Sequence, residues 1–319
     1  MSPFAPLIGQ PQAISLLTQA VAKHRIAPAY LFAGAVGVGR SLAARCFVEL
    51  VLSHTTTPVN LEGLQQRLKH HNHPDLLWVE PTYLHQGKRL TAAAAEEAGV
   101  KRKSPPMIRL EQVREIAQFL SRPPLEASRS IVVLDQAETM AEAAANGLLK
   151  TLEEPGQATL ILIAPSVESL LPTLVSRCQK TPFYRLSSEA MAQVLQQAGQ
   201  AEILQQPQIL QLAQGSPGAA IAHWQQLQTI PADLLQALGQ PPRSPRAALT
   251  LARQIASTLE SETQIWLLDY LQQWYWQTLP VTPATQSIVQ QLEKARRYLQ
   301  QFVQPRLTWE VTLLNMVQS

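Results

Sequence analysis

The sequence predicts an α/β domain built on a parallel sheet, followed by an all-helical second half. Residues 1–186 alternate short apolar runs with stretches of helical periodicity, and such runs stop at about residue 187. Short, nearly unbroken apolar runs between helices are typical of strands that are buried on both faces of a sheet. From 191 to 240 the chain instead contains fourteen glutamines, and we expect only helices there.

Five apolar runs are the predicted strands of the sheet. They are AYLFAG (29–34), LLWVEP (76–81), SIVVLD (130–135), TLILIAP (159–165) and TPFYRL (181–186). Between them lie stretches with the spacing of apolar residues that amphipathic helices show, such as IRLEQVREIAQFLS and TMAEAAANGLLKTLEE. The second of these stretches is ended by Pro155-Gly156, a pair that stops helices.

Length and composition limit the classes of protein that need to be considered. The chain has 319 residues, of which 46% are hydrophobic and 15% charged, so two or three domains with real cores are expected. Two cysteines are too few for a disulfide framework or a four-thiolate zinc site, which favours a reducing cytoplasm. No signal peptide or membrane-spanning run is visible, and the net charge of +3 permits contact with nucleic acid without demanding it.

A glycine-rich segment, GAVGVGRS at residues 34–41, has the spacing of the phosphate-binding loop G-x-x-x-x-G-K-[ST]. Its glycines are Gly34, Gly37 and Gly39. It follows a predicted strand and opens a predicted helix, where backbone amides and the helix dipole favour phosphate. Ser41 is a candidate magnesium ligand, but Arg40 replaces the lysine, and a planar fork cannot hold the position of a compact ammonium group.

A second motif shows whether the site could still hydrolyse ATP. The strand IVVLD ends in Asp135-Gln136, where an active ATPase has Asp-Glu. Asp135 can help to hold magnesium, but Gln136 cannot accept a proton from the attacking water. A positioned base contributes about 10²–10⁴ in rate, and the lysine's charge contributes a comparable factor. The sequence therefore predicts a degenerate nucleotide site that no longer hydrolyses ATP.

Two further segments allow more than one interpretation. Residues 82–107 include five basic residues and could contact DNA, but we favour a disordered surface insertion. Near the C-terminus an apolar stripe recurs at steps of four and three residues, which indicates one face of a helix. Its members are Ile288, Leu292, Ala295, Leu299 and Phe302. This stripe is either the core face of a helical bundle or a contact between subunits.

Several of these segments resemble the clamp-loader subunits of bacterial DNA polymerase III, which are proteins of the AAA+ type. The similar stretches are PLIGQPQAISLLTQAV, PAYLFAGAVGVGRSLAA, HPDLLWVEP, VVLDQAETMAEAAANGLLKTLEEP and LLPTLVSRC. The similarity is good over 6–81 and 108–187, moderate at GSPGAA (215–220), and limited to helical character over the last ninety residues. It implies an AAA+ core over 1–183, a small helical lid over 184–228 and a helical collar over 229–319.

Three departures from the motor subunits of this family favour its delta-prime branch. This chain has Arg40 in place of the lysine, Gln136 in place of the glutamate, and Gly218 in place of an arginine that senses nucleotide in the lid. The resemblance then implies a non-hydrolysing subunit of a DNA-directed DNA polymerase holoenzyme, not catalytic alone. Its expected partners are the delta and gamma/tau subunits of a hetero-pentameric ring, the sliding clamp, and primer–template DNA through the complex.

Three other functions, each from a different class of protein, are alternatives to this one. An ATP-hydrolysing motor subunit of the gamma/tau type would need Arg40 to act as the lysine. A small-molecule kinase explains neither the SRC stretch nor the helical second half. A nucleic-acid-binding module acting alone would need a basic stripe with stacking aromatic residues, and the one basic cluster lies in the insertion.

The resemblance also assigns a role to Arg177, in LLPTLVSRCQ: an arginine finger for the ATP of a neighbouring subunit. A guanidinium group is permanently charged and can bind two phosphate oxygens at once. The alternative is a surface arginine paired with a carboxylate. We expect the adjacent Cys178 to be a small buried packing residue, because no base that would activate it is identifiable.

Relatives usually carry a four-cysteine zinc module after the phosphate-loop helix, and this chain has no cysteines there. The histidines of the region do not follow a standard zinc spacing, so we predict that zinc is not bound. They are His54, His70, His71 and His73. We expect His73-Pro74-Asp75 to be structural.

Overall fold

The computed structural model of the chain describes residues 2–53, 61–69, 72–99, 105–280 and 282–317. They form two compact units, Met1–Ala190 and Met191–Ser319. None of the helices in these described ranges is long and apolar enough to cross a membrane. The finer division of the second unit into a lid and a collar stays a prediction.

The first unit is built on a five-stranded parallel sheet in the order β2-β5-β6-β1-β7. Its strands are β1 (Ala29–Ala33), β2 (Leu76–Val79), β5 (Ser130–Leu134), β6 (Ala158–Ala164) and β7 (Gln179–Pro182), and a separate hairpin contains β3 (Tyr83–His85) and β4 (Lys88–Leu90). Its helices are α1 (Pro11–Ala22), α2 (Arg40–Ser53), α3 (Leu61–Lys69), α4 (Ala92–Glu97), α5 (Leu110–Leu120), α6 (Glu142–Glu153) and α7 (Pro172–Val175).

Four of the five predicted strands are confirmed, and the fifth only in part, because β7 shares just Thr181 and Pro182 with the predicted run 181–186. The central strands β1, β5 and β6 are buried along their whole length, which is why their sequences are continuously apolar. The last strand begins at Gln179, two residues before the predicted TPFYRL run. Because β7 is an edge strand, its first residues are polar and exposed, and the apolar criterion overlooked them.

The insertion at 82–107 is folded where the structure describes it, so the prediction of disorder was wrong for residues 82–99. Gln86 and Gly87 both have positive φ, 49° and 78°, which is the backbone of a two-residue hairpin turn. Thr82 pairs with Met107 where the insertion leaves and rejoins the domain. Arg89 on the hairpin forms an ion pair with Glu115 on α5. The basic residues 101–103 lie outside the described residues.

Every secondary-structure element described in the second unit is a helix, as predicted. Its α-helices are α8 (Ser188–Gln197, which begins in the first unit), α9 (Pro207–Ala213), α10 (Pro217–Gln228), α11 (Ala232–Leu238), α12 (Pro245–Thr258), α13 (Ser261–Thr278), α14 (Pro283–Gln300) and α15 (Pro305–Val317). Several begin with proline after a hydroxyl side chain that caps the helix, as Ser216, Ser244 and Thr282 do. This combination satisfies a free amide and presets the first φ angle.

The apolar stripe on α14 belongs to the unit's own core. Ile288, Leu292, Ala295 and Leu299 are all less than 10% exposed and pack in one hydrophobic cluster. Phe302 is 96% exposed, so its inclusion in the stripe was wrong. The helix ends at Gln300, and Phe302 has a φ of +59°, which turns its side chain away from that face.

We expect Leu292→Ala to lower the free energy of unfolding of the second unit by about 2–5 kcal/mol, because it leaves a cavity at a fully buried position. Phe302→Ala should change it by less than about 0.5 kcal/mol. Tryptophan fluorescence during urea unfolding is a suitable measurement, since five of the six tryptophans lie between 224 and 309. Equal losses in both variants would contradict this assignment of the core.

Candidate functional site

The backbone of a phosphate-binding loop is present between β1 and α2. Gly37 and Gly39 have φ angles of +81° and +101°, a left-handed conformation that favours glycine. Gly34 is required for a different reason: a β-carbon there would lie 2.3 Å from the carbonyl oxygen of Phe183. The loop therefore keeps the geometry that directs amides toward an anion at the start of α2.

Gln10, which sequence reasoning missed, fixes this loop against the residues that follow β7. Its amide nitrogen donates to the carbonyl oxygens of Val38, at 3.2 Å, and Tyr184, at 2.7 Å. Its carbonyl oxygen accepts from the backbone amide of Tyr184 at 3.1 Å. At 1% exposure, this glutamine satisfies backbone groups that would otherwise be buried without partners. The one hint in the sequence was a polar residue directly before the first predicted helix.

The two predicted magnesium ligands lie side by side, although they are 94 residues apart in the sequence. The hydroxyl of Ser41 donates to Asp135 Oδ2 at 3.0 Å. Asp135 Oδ1 accepts from the backbone amide of Gln136 at 2.9 Å. A hydroxyl and a carboxylate are oxygen ligands of the kind that magnesium prefers, so this part of the site fits the ion.

Arg40 departs most from what a nucleotide site needs. The residue is only 7% exposed, so its side chain lies within the protein at the start of α2. Its Nε and Nη1 atoms are buried without a hydrogen-bond partner. Burial lowers the pKa of the guanidinium group, and the nearby carboxylates of Glu138 and Asp135 act in the opposite direction.

Gln136 and Glu138, which follow β5, lie just after Asp135 in the sequence. Gln136 is exposed and has a φ of +50°, and it is followed by a 3₁₀ turn over Ala137–Thr139. Glu138 lies in this turn, half-buried, and its Oε2 atom is buried without a partner. Burial raises the pKa of Glu138, whereas the positive charge of Arg40 lowers it.

Arg177 lies in the first unit, two residues beyond the end of α7. Its Nη2 donates to Glu153 Oε1 at 2.7 Å, and its Nη1 donates to the carbonyl oxygen of Thr173 at 2.9 Å. The side chains of Arg177 and Glu153 are 37% and 53% exposed. In the isolated chain Arg177 is therefore paired with a carboxylate, as the alternative to an arginine finger predicts. An ion pair as exposed as this one contributes only about 1 kcal/mol or less to stability.

The other singled-out residues have local roles in the structure. Cys178 is only partly buried rather than buried, and it packs against the core of the first unit. Its surroundings raise the pKa of the thiol to about 11, which favours the protonated form over the reactive thiolate. His73 Nδ1 accepts from the backbone amide of Asp75 at 3.1 Å, as expected for a structural segment. Gly218 is exposed in the first turn of α10 and offers no side chain to a ligand.

The zinc prediction remains a prediction. His54, His70 and His71 lie outside the residues that the structure describes. Across the described part of the chain, no three histidine, cysteine, aspartate or glutamate side chains form a group that could hold a metal ion.

Two family models together match almost the whole chain. The model of "DNA polymerase III, delta subunit" matches residues 9–187. The model of "Cyanobacterial DNA polymerase III delta prime, C-terminal domain" matches residues 189–316. A solved structure from Thermotoga maritima, a gamma subunit-related protein of DNA polymerase III, has a TM-score of 0.53 at 16% identity. That match covers 96% of this chain and 99% of the other, and it supports the fold alone.

Curated relatives include subunits of two types. The delta' subunit of DNA polymerase III from Bacillus subtilis is 31% identical over 185 residues, which is 57% of this chain and 50% of the relative. The delta' subunit from Pseudomonas aeruginosa is 33% identical over 64% of this chain and 57% of the relative. The tau subunit from B. subtilis is 26% identical over 63% of this chain and 32% of the relative. The alignments thus span about half the length of the delta' relatives.

Proposed function

Because this chain belongs to the DNA polymerase III delta-prime family, we propose that it is a non-hydrolysing subunit of the clamp loader of that polymerase. In this role it helps to load the sliding clamp onto primer–template DNA during replication in the cytoplasm. The identity to delta' subunits, 31–33%, exceeds the 26% identity to a tau subunit. The residues that depart from a motor subunit are Arg40, Gln136 and Gly218.

We propose that its partners are the delta and gamma/tau subunits of a hetero-pentameric ring. The match of residues 189–316 to a delta-prime C-terminal domain supports a role of the second unit in assembly. In this proposal residues 184–228 form the lid, and residues 229–319 form the collar that joins the ring. The clamp and the DNA are contacted within the assembled complex.

The proposed chemical contribution of this subunit is made at a neighbour's ATP. Arg177 acts there as an arginine finger, with its guanidinium group stabilising the charge that develops on the transferred γ-phosphoryl group. The single observation that carries the proposal is the retained phosphate-loop backbone with a buried Arg40 in place of the lysine. This combination suits a subunit that is built like an ATPase but does not hydrolyse ATP itself.

We expect the isolated chain to show no ATP turnover and to co-purify with delta and gamma/tau subunits. A steady-state rate on the order of 1 s⁻¹, within the usual range of enzymes, would support the gamma/tau-like alternative if Ser41→Ala abolished it. Size-exclusion chromatography of mixed subunits, with and without clamp and primed DNA, tests the assembly. Failure to join any complex would contradict the proposed function.

A further inference from the structure

Charged atoms without hydrogen-bond partners are buried beside the phosphate loop. Two nitrogens of Arg40 and one oxygen of Glu138 are buried without hydrogen-bond partners. They come from the two segments that the Ser41–Asp135 hydrogen bond holds together, the start of α2 and the turn after β5. The charges of Arg40 and Glu138 act on each other, so donors and an acceptor of opposite charge, all without partners, lie in one region.

Burial of either group alone is expected to cost free energy. An isolated charge in the protein interior costs several kcal/mol, and a buried hydrogen-bonding group without a partner adds to that cost. Both carboxylate oxygens of Asp135 already accept hydrogen bonds, from Ser41 and from the amide of Gln136. Glu138 Oε2 accepts none, so it has more free acceptor capacity for Arg40 than either oxygen of Asp135, and one buried water molecule would join the two groups.

Magnesium and a nucleotide fit only part of this site. The glycine backbone, Ser41 and Asp135 are arranged as a phosphate and its magnesium ion would require. The cation that should extend to the phosphates is instead inside the protein, because Arg40 is 7% exposed. Moving Arg40 out to a phosphate would take the nearby positive charge away from the buried Glu138 oxygen.

We propose that Arg40 and Glu138 form an internal ion pair beside Asp135, which compensates the charge of Glu138 and keeps the site closed to magnesium–ATP. The protein's own guanidinium group takes over the role that the magnesium ion and the lysine share in an active site. This inference deepens the non-hydrolysing part of the proposed function. Its tests use the isolated chain, so its failure would leave the assembly and the role of Arg177 untouched.

A double-mutant cycle in urea tests the pairing. Arg40→Met and Glu138→Gln should each lower the unfolding midpoint of the first unit by about 1 M, because each leaves a buried charge uncompensated. The double variant should lose no more than the worse single variant, since both charges are removed together. Additive losses would overturn the ion pair. Hydrogen exchange of amides in β1 and β5 reports on this unit separately from the second.

A nucleotide-binding measurement tests whether the site is closed to magnesium–ATP. A fluorescent ATP analogue should show no saturable, magnesium-dependent binding to the natural chain. The variant carrying both Arg40→Lys and Glu138→Gln removes the pair and restores the lysine, and its affinity should rise by at least about tenfold. Arg45→Lys, an exposed change of the same kind on the same helix, is the matched control and should gain nothing. Saturable binding to the natural chain, or no gain in the double variant, would overturn the proposal.

Discussion

Replacing Arg177 by alanine should remove ATP hydrolysis at one site of the reconstituted complex while the mutant chain folds and assembles normally. An arginine finger accelerates phosphoryl transfer by about 10³–10⁵, or roughly 4–7 kcal/mol of transition-state stabilisation. The contribution of the neighbouring site to turnover should therefore disappear, and clamp loading should fall with it. Pre-steady-state phosphate release by the complex, in the presence of clamp and primed DNA, is the measurement.

The pair between Arg177 and Glu153 defines the matched controls. Glu153→Gln weakens the contact that holds the guanidinium group on its own subunit, so it should leave turnover unchanged or raise it slightly. Arg177→Lys keeps the charge but loses the planar fork, and it should remain strongly impaired. Arg122→Ala, at an exposed arginine elsewhere in the same unit, should have no effect.

Full turnover by the Arg177→Ala complex would show that Arg177 is only a surface arginine paired with a carboxylate. In that case Arg177→Ala and Glu153→Gln should have equally small effects on stability, and neither should affect hydrolysis. The two interpretations therefore differ by at least a factor of about 10³ in the hydrolysis rate at that one neighbouring site.

Asp75→Ala should lower the free energy of unfolding of the first unit by about 3–5 kcal/mol. Asp75 is 2% exposed, and its carboxylate accepts from the backbone amides of Leu125, Glu126 and Ala127 at 2.6, 2.8 and 2.7 Å. The substitution leaves these three donors without their acceptor. Urea unfolding followed by circular dichroism or by hydrogen exchange in β5 is the measurement, because only Trp78 among the six tryptophans lies in this unit.

Two further variants separate hydrogen bonding from side-chain size. Asp75→Asn has almost the same shape but replaces an acceptor by a donor, so it should be nearly as destabilising as alanine. Asp233→Ala removes an exposed carboxylate that accepts one hydrogen bond from Gln254, and its cost should stay below about 0.5 kcal/mol. A mild effect of Asp75→Asn would mean that the side chain mainly fills space.

The sequence by itself determined the features that depend on local patterns. Continuous apolar runs gave β1, β5 and β6, because strands that are buried on both faces have no polar side. The glycine spacing predicted the phosphate-binding loop, because positive φ angles and close approach of backbone atoms exclude other residues. The hairpin of β3 and β4 was missed, since short exposed strands carry no apolar signal.

Only the tertiary structure decided which distant groups meet. Gln10 and Tyr184 are 174 residues apart, and Arg177 and Glu153 are 24 apart, so no local pattern predicts either contact. The sequence placed a cation at residue 40, but the packing around α2 determines that its guanidinium group lies inside the protein. The direction of a long side chain depends on the space and the charges that the rest of the fold brings to it, here those of Asp135 and Glu138.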